Sequence, residues 1–352
     1  MRALILNGYS SANSGDGLLV DETITLIREA LGQDVELTLL ASYPDSFRYL
    51  GIKVIPSKPN KRGYSSEYLT LLRSRFRDFD VLIGVGGGYL RAGSCVEFAK
   101  MALVMGPQLV QAARSTTRSV YLPQSIGPAR MGSRRLLSAF LKRIDRVWVR
   151  DERSLNEFKT AKVKRSPDLA ILGLSRNTLD FDDKSPIILT VRKHRGSVPD
   201  NVYRLRTKLR VVDSFIQSTV GGNDDTDAVE SLLPRSILDR KEVLLAPTRA
   251  KVVVAMRLHA ALMAIRAGHY VVHLSYERKG FGAFSDLGLS EYVHNVHDFD
   301  VDQVENLVHD LRTSPARRAA YDAAIASAEN SAMAQRKSII SSIREAAGIQ
   351  LV

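Results

Sequence analysis

At 352 residues, with 45% apolar and 25% charged residues, the chain has the composition of a folded globular protein and the length of two ordinary domains. Its one cysteine, Cys95, excludes an intramolecular disulfide and fits a reducing compartment. A net charge of +12 favours anionic partners, and no run reaches the roughly 18 uninterrupted apolar residues of a membrane span.

Met1–Leu6 is too short for a signal-peptide core and reads as a first strand. Short apolar runs then alternate with amphipathic stretches, the pattern of parallel sheets with crossover helices. In the first half, strands are predicted at Ala3–Leu6, Val35–Leu40, Val81–Val85, Ser119–Leu122 and Arg146–Val149. Helices are predicted at Asp16–Leu31, Tyr64–Phe76, Val96–Ala113, Ser133–Ile144 and Glu152–Thr160. The polar segment Gly173–Ser185, ending at Pro186, reads as an interdomain linker. Strands resume at Ile187–Val191, Val211–Gln217, Val252–Ala255 and Val271–Leu274, with a helix at Leu258–Ala267. From Val301 the chain is helical, and Pro315–Ala346 is long enough to cross back onto the first domain. The expected fold class is α/β, with domains at 1–175 and 186–314 and a C-terminal helical segment at 315–352.

Ligands of open parallel sheets sit beyond the carboxyl ends of strands, so the loops just after strands carry the functional expectations. The first, Asn7–Gly17, opens a helix and offers backbone amides to an anion; a helix capped by Asn13, Ser14 or Asp16 explains it as well. The second holds Gly86, Gly87 and Gly88, suited to a tight turn, but Tyr89 stands where a dinucleotide fingerprint needs glycine. The third, Leu122–Pro128, offers Gln124 and Ser125 from what also reads as a plain turn. In the fourth, Arg150 ends a strand, directed at the cleft mouth, and Asp151 caps a helix.

The fifth is the most informative. Val252–Ala255 passes into an apolar helix through Met256-Arg257-Leu258-His259. A cation buried there needs an anionic counterpart. Arginine suits a carboxylate or phosphate, and histidine titrates near neutral pH. Arg278 and Lys279 follow the next strand and are expected to converge on the same end of the sheet. Asp224, Asp225 and Asp227 face the cleft or merely solubilise a loop. No metal-binding motif, nucleotide-binding motif or nucleic-acid-binding motif is present.

Asn13-Ser14-Gly15-Asp16, Gly86-Gly87-Gly88, Gln124-Ser125-Ile126-Gly127-Pro128, Val149–Ser154, Pro167-Asp168, Met256–Ala260 and Tyr276 with Lys279, in that order, resemble the polysaccharide pyruvyl transferase family. The resemblance implies a fold similar to GT-B glycosyltransferases, two Rossmann-like domains facing a cleft. It implies phosphoenolpyruvate as donor and a sugar as acceptor, with a pyruvate ketal formed across two hydroxyls and phosphate released. The first domain would serve the acceptor and the second the donor. Catalytic roles carry over to Arg257 and His259, and donor binding to Arg257, Lys279, Arg278 and Arg150. Asn13, Ser14, Asp16, the three glycines, Gln124 and Ser125 are acceptor or loop candidates. Many relatives place an acidic residue soon after the glycine run, where this chain has Tyr89, Leu90 and Arg91.

In this reading His259 protonates the donor's methylene carbon, a bound dianion favouring the imidazolium. No metal or cofactor is called for, because the cations supply the charge stabilisation. The expected location is cytoplasmic, at the inner membrane face if the acceptor is lipid-linked, with no nucleic-acid partner. Three other readings compete: a nucleotide-sugar glycosyltransferase on the same fold, a non-enzymatic binder of anionic glycan or nucleic acid, and a dehydrogenase, the last weakened by the missing fingerprint.

Overall fold

The computed structural model describes residues 1–130, 132–219 and 224–349. The chain forms two compact units. One comprises Met1–Ser11, Asp16–Leu172 and the chain from Met333 on; the other comprises Ala12–Gly15 and Gly173–Ala332. The expected domain ends at residues 175, 186 and 315 therefore move to 172, 173 and 333, and the last three residues of the expected helical segment lie outside the described residues.

The first unit is built on strands β1 (Arg2–Gly8), β2 (Glu36–Ala41), β3 (Lys53–Pro56), β4 (Val81–Gly84), β5 (Gly87–Ala92), β6 (Ser119–Ala129), β7 (Arg146–Val149) and β8 (Val163–Arg165). They form one parallel sheet in the order β3-β2-β1-β4-β6-β7-β8, and β5 also pairs with β6. Its helices are α1 (Ser14–Leu31), α2 (Ser66–Ser74), α3 (Cys95–Val104), α4 (Gly106–Ala112), α5 (Ser133–Leu141), α6 (Glu152–Glu157) and α7 (Leu169–Leu172). Central strands are apolar on both faces, as helices on both sides of a parallel sheet require: Ala3, Leu4, Ile5 and Leu6 are wholly buried. On one face Leu4, Leu82, Tyr121 and Val147 share a core with Tyr68 of α2, Met101 of α3, Leu109 of α4 and Leu137 of α5.

Two expectations are corrected here. The single helix predicted over Val96–Ala113 is broken at Met105-Gly106-Pro107, where proline cannot donate to the helical ladder. The predicted turns at Gly86–Gly88 and Leu122–Pro128 are largely strand. β6 runs on to Ala129, pairing first with β4 through Ser119–Tyr121 and then with β5 through Gln124–Ala129. The glycines join two strand pieces laid along one neighbour.

The second unit contains β9 (Ile187–Thr190), β10 (Val212–Asp213), β11 (Val252–Ala255), β12 (Tyr270–Ser275) and β13 (Val293–Asn295), all parallel, in the order β10-β9-β11-β12-β13. Around them lie α8 (Asp200–Lys208), α9 (Thr226–Glu230), α10 (Arg240–Leu244), α11 (Leu258–Arg266), α12 (Arg278–Asp286), α13 (Val301–Thr313) and α14 (Pro315–Ala346). β10 is much shorter than the strand predicted over Val211–Gln217. The expected linker Gly173–Ser185 is docked on this unit. The Asp182 amide donates to the Ala250 carbonyl and the Ala250 amide to the Asp180 carbonyl, and the Arg176 guanidinium donates to the Gly268 carbonyl at 2.9 Å and stacks over the Tyr270 ring. From Met333 on, α14 is held to the first unit: Arg336 grips the Glu29 carboxylate, and Arg344 donates to the Ala30 carbonyl at 3.0 Å.

Candidate functional site

β11 is the fully buried central strand of the second unit, flanked by β9 and β12. It ends at Ala255, and Arg257 stands at the junction with α11, in extended backbone conformation. The helix then begins at Leu258, which places His259 in its first turn. The anion expected at Arg257 is supplied by the chain. Asp225 takes the Arg257 Nε and Nη2 in a two-pronged ion pair, both contacts at 2.5 Å. The Asp225 side chain is 1% exposed and that of Arg257 11%. Burial pushes the Asp225 carboxyl above the usual range, and the Arg257 guanidinium works against that push. The fork fixes the plane of the guanidinium, so an incoming anion meets a cation that is already oriented.

The loop before α1 joins this group. Asn13 forms an antiparallel bridge with Ser218, and its side chain accepts from the Gly15 amide at 3.3 Å. Ser14 Oγ donates to the Gln217 carbonyl at 3.1 Å and accepts from Gln217 Nε2 at 2.9 Å. Gly15 lies directly against the His259 ring. A Cβ there would fall 2.4 Å from Nδ1, so only glycine leaves the imidazole its place. Asn13, Ser14, Arg257 and His259 are thus brought together with Asp225 and Gln217.

Lys279 lies in the first turn of α12, following β12, the neighbour of β11, and pairs with Glu277 at 2.8 Å. Arg278 is exposed. Beside them Tyr276 accepts from Arg192 Nη1 at 3.1 Å and lies against the His194 ring, whose Nδ1 is 2.7 Å from His297 Nε2.

The remaining candidates cluster in the first unit. Arg150 follows β7 but does not point to solvent. It is 5% exposed, its Nη1 pairs with the Asp168 carboxylate, and its Nε donates to Ser125 Oγ at 3.0 Å. Asp168 also accepts from the Ala170 amide at 2.9 Å, which ties it to the start of α7. Gly86 has no room for a side chain, since a Cβ would fall 2.6 Å from the Pro123 carbonyl oxygen. Gly88 lies next to Arg150 Nη2. The Gln124 side chain is wholly buried, and neither its oxygen nor its nitrogen has a hydrogen-bond partner among the described residues. A buried amide left so is costly and marks a place that suits a polar ligand group. Where an acidic residue was expected after the glycines, Tyr89 instead donates to Asp16 Oδ1 at 2.9 Å, so α1 brings a carboxylate to that loop. Burial, with the Asp16 charge beside it, holds the Tyr89 phenol well above its ordinary value, so it stays a donor.

Asp225 and Asp168, the two arginine partners, stand 32 and 18 residues from Arg257 and Arg150. Asp168 follows β8 closely, and that position is the signal by which it could be found; Asp225 lies well beyond the end of β10 at Asp213 and has no such signal. Among the described residues no group of three or more His, Cys, Asp or Glu is arranged to hold a metal.

By architecture the chain is similar to several solved structures. MurG of Acinetobacter baumannii aligns over 98% of this chain and 99% of its own, at 12% identity and a TM-score of 0.50. MnaA of S. aureus, solved with UDP, aligns over 90% and 89%, at 9% identity and 0.52. The glycotransferase of kitacinnamycin aligns over 96% and 97%, at 11% identity and 0.52. These likenesses establish a GT-B-like fold. No curated protein sequence matches the chain. The family model for polysaccharide pyruvyl transferase matches residues 13–278, a span that begins at Asn13 and takes in both clusters, and the chain belongs to that family of enzymes.

Proposed function

We propose that the chain transfers the pyruvyl group of phosphoenolpyruvate to two hydroxyls of one sugar residue. The observation that carries this reading is the Arg257–His259 pair at the carboxyl end of β11, with the guanidinium oriented by Asp225 and the imidazole set by Gly15. Arg257 holds the donor carboxylate or phosphate, and Lys279 or Arg278 takes the other charge. His259 gives a proton to the methylene carbon, which makes the neighbouring carbon electrophilic. The oxygen of a sugar hydroxyl bonds to that carbon and loses its proton. The C–O bond to phosphate then breaks, and a second hydroxyl of the same sugar closes the ketal. One proton enters the new methyl group, and the other leaves with phosphate. Acceptor binding is assigned to the first unit, where Gln124, Ser125 and the glycine segment surround the Arg150–Asp168 pair and Tyr89 bonds to Asp16. The acceptor is a glycan or a lipid-linked saccharide.

The test is phosphate release from phosphoenolpyruvate in the presence of acceptor. His259→Ala is expected to lower kcat by about 100-fold or more, the scale of a lost general acid. Arg257→Ala is expected to raise the donor KM by at least about 10-fold, the scale of a lost charged hydrogen bond. Near wild-type turnover in both variants would remove the reading. Release of a nucleoside diphosphate from a nucleotide sugar would identify a glycosyltransferase on the same fold instead.

A further inference from the structure

The positive charge of this chain is concentrated. Residues 130–165 hold twelve Lys or Arg against four Asp or Glu, a net +8 of the whole chain's +12. Helix α5 lies in this segment. Its buried side is Leu137 and Leu141, and its outward side carries Arg135, Leu136, Ala139 and, at the end, Lys142 and Arg143. None of Arg130, Arg135, Lys142 or Arg143 meets a carboxylate among the described residues, and Leu136 is 45% exposed between them.

A second observation is independent of charge. Helix α3 turns Met101 inward, but Val96, Ala99 and Leu103, spaced by three and four, face outward, with Val96 63% and Leu103 52% exposed. Lys100 is the cation on this side. α3 and α5 pack on the same face of the sheet, through Met101 and through Leu137 and Leu141 in one core. Their starts are neighbours, since the Arg130 amide donates to the Ala92 carbonyl at 3.0 Å just before α3. One side of the first unit therefore presents an apolar helix face next to a basic one.

From this juxtaposition we infer that α3 and α5 dock the protein on a bilayer surface containing anionic phospholipid. The basic side chains of α5 would meet headgroup phosphates, and Val96, Leu103 and Leu136 would enter the headgroup boundary. The exposed apolar residues favour a lipid surface over a nucleic acid, which a basic face alone would serve equally. No helix among the described residues is long and apolar enough to cross a membrane, so the attachment is peripheral. The inference does not depend on the donor or the reaction assigned above.

The test is flotation of the full chain with vesicles of phosphatidylcholine alone and of phosphatidylcholine with phosphatidylglycerol, at low and high salt. Wild-type protein is expected to float with the anionic vesicles only, and less at high salt. Arg135→Glu/Lys142→Glu/Arg143→Glu is expected to weaken this binding by about 100-fold, on the scale set by the attraction of single basic residues to such surfaces. Val96→Ser/Leu103→Ser is expected to lose most of the binding that survives high salt. All changed positions are exposed, and unchanged thermal unfolding of each variant shows that the fold is kept. Equal flotation with neutral vesicles, or anionic binding unchanged in both variants, would overturn the inference. So would tighter binding to DNA or RNA than to the vesicles, or a concentration-dependent dimer that Val96→Ser/Leu103→Ser abolishes.

Discussion

Arg257 could be picked out from the sequence because an arginine between a buried strand and an apolar helix demands a counter-charge. Its partner could not be, because nothing local connects residues 32 apart. Asp225 stands in a run of acidic residues that otherwise reads as a solvated loop, and the two-pronged bond gives it a positioning role. Asp225→Asn keeps the shape but weakens the fork. It is expected to raise the donor KM by about 10-fold with a smaller change in kcat, since one charge-assisted contact is lost. An unchanged KM would remove Asp225 from the site. Two other histidines of this unit have no role in the proposed reaction and report on its stability. His269 accepts from the Lys251 amide at Nδ1 and donates from Nε2 to the Val243 carbonyl, so its neutral form is fully used. His273 donates to the Ala255 carbonyl and stacks on Phe284. Burial lowers each from 6.5 to about 4. A depressed histidine favours the native state while it is neutral. That stabilisation is complete above about pH 6.5 and is lost as pH falls towards about 4, on the order of 3 kcal/mol for each. Urea unfolding is expected to show stability falling across that window, with a shallower fall in His269→Gln/His273→Gln. Identical slopes in both proteins would contradict this account.

Elements with one clear period were legible. β7, β11 and α11 lie where apolar run and helical spacing placed them, because their burial is uniform and their ends abrupt. β5 was hidden, since a strand that opens on glycines looks like a turn. Its pairing comes from β6, which no local pattern in Gly87–Ala92 announces. β8 and β13, of three residues each, are too short to show alternation. The close approach at Gly86 shows why the run is glycine. Gly86→Ala would drive a Cβ against the Pro123 carbonyl and the Leu169 side chain. Backbone yields little, so the expected cost is about 1–3 kcal/mol, the scale of overpacking, seen as a lower Tm. The same shift would disturb Gln124 and Arg150, so activity should fall with stability. A variant with unchanged Tm would show that the segment is looser than described.

At the scale of the whole molecule, the alternation of strands and helices was enough to expect two parallel sheets, and both are present. The assignment of segments to units was less legible, because it depends on contacts far apart in sequence. Gly173–Ser185 looked like a linker for its polarity, yet its backbone and Arg176 are bound to the second unit. α14 is one helix whose residues divide at Met333, and its uniform alanine-rich pattern contains no sign of that division. The fold alone does not select a reaction, since one fold hosts many unrelated activities. The family match narrows the choice to pyruvyl transfer. The most direct test is mass spectrometry of candidate saccharide acceptors, free and lipid-linked, after incubation with phosphoenolpyruvate and the wild-type or His259→Ala protein. The account predicts an acceptor carrying a pyruvate ketal, formed with release of one phosphate and nearly absent with the variant. Ketal formed equally by the variant, or a glycosyl group transferred from a nucleotide sugar where phosphoenolpyruvate yields nothing, would contradict it.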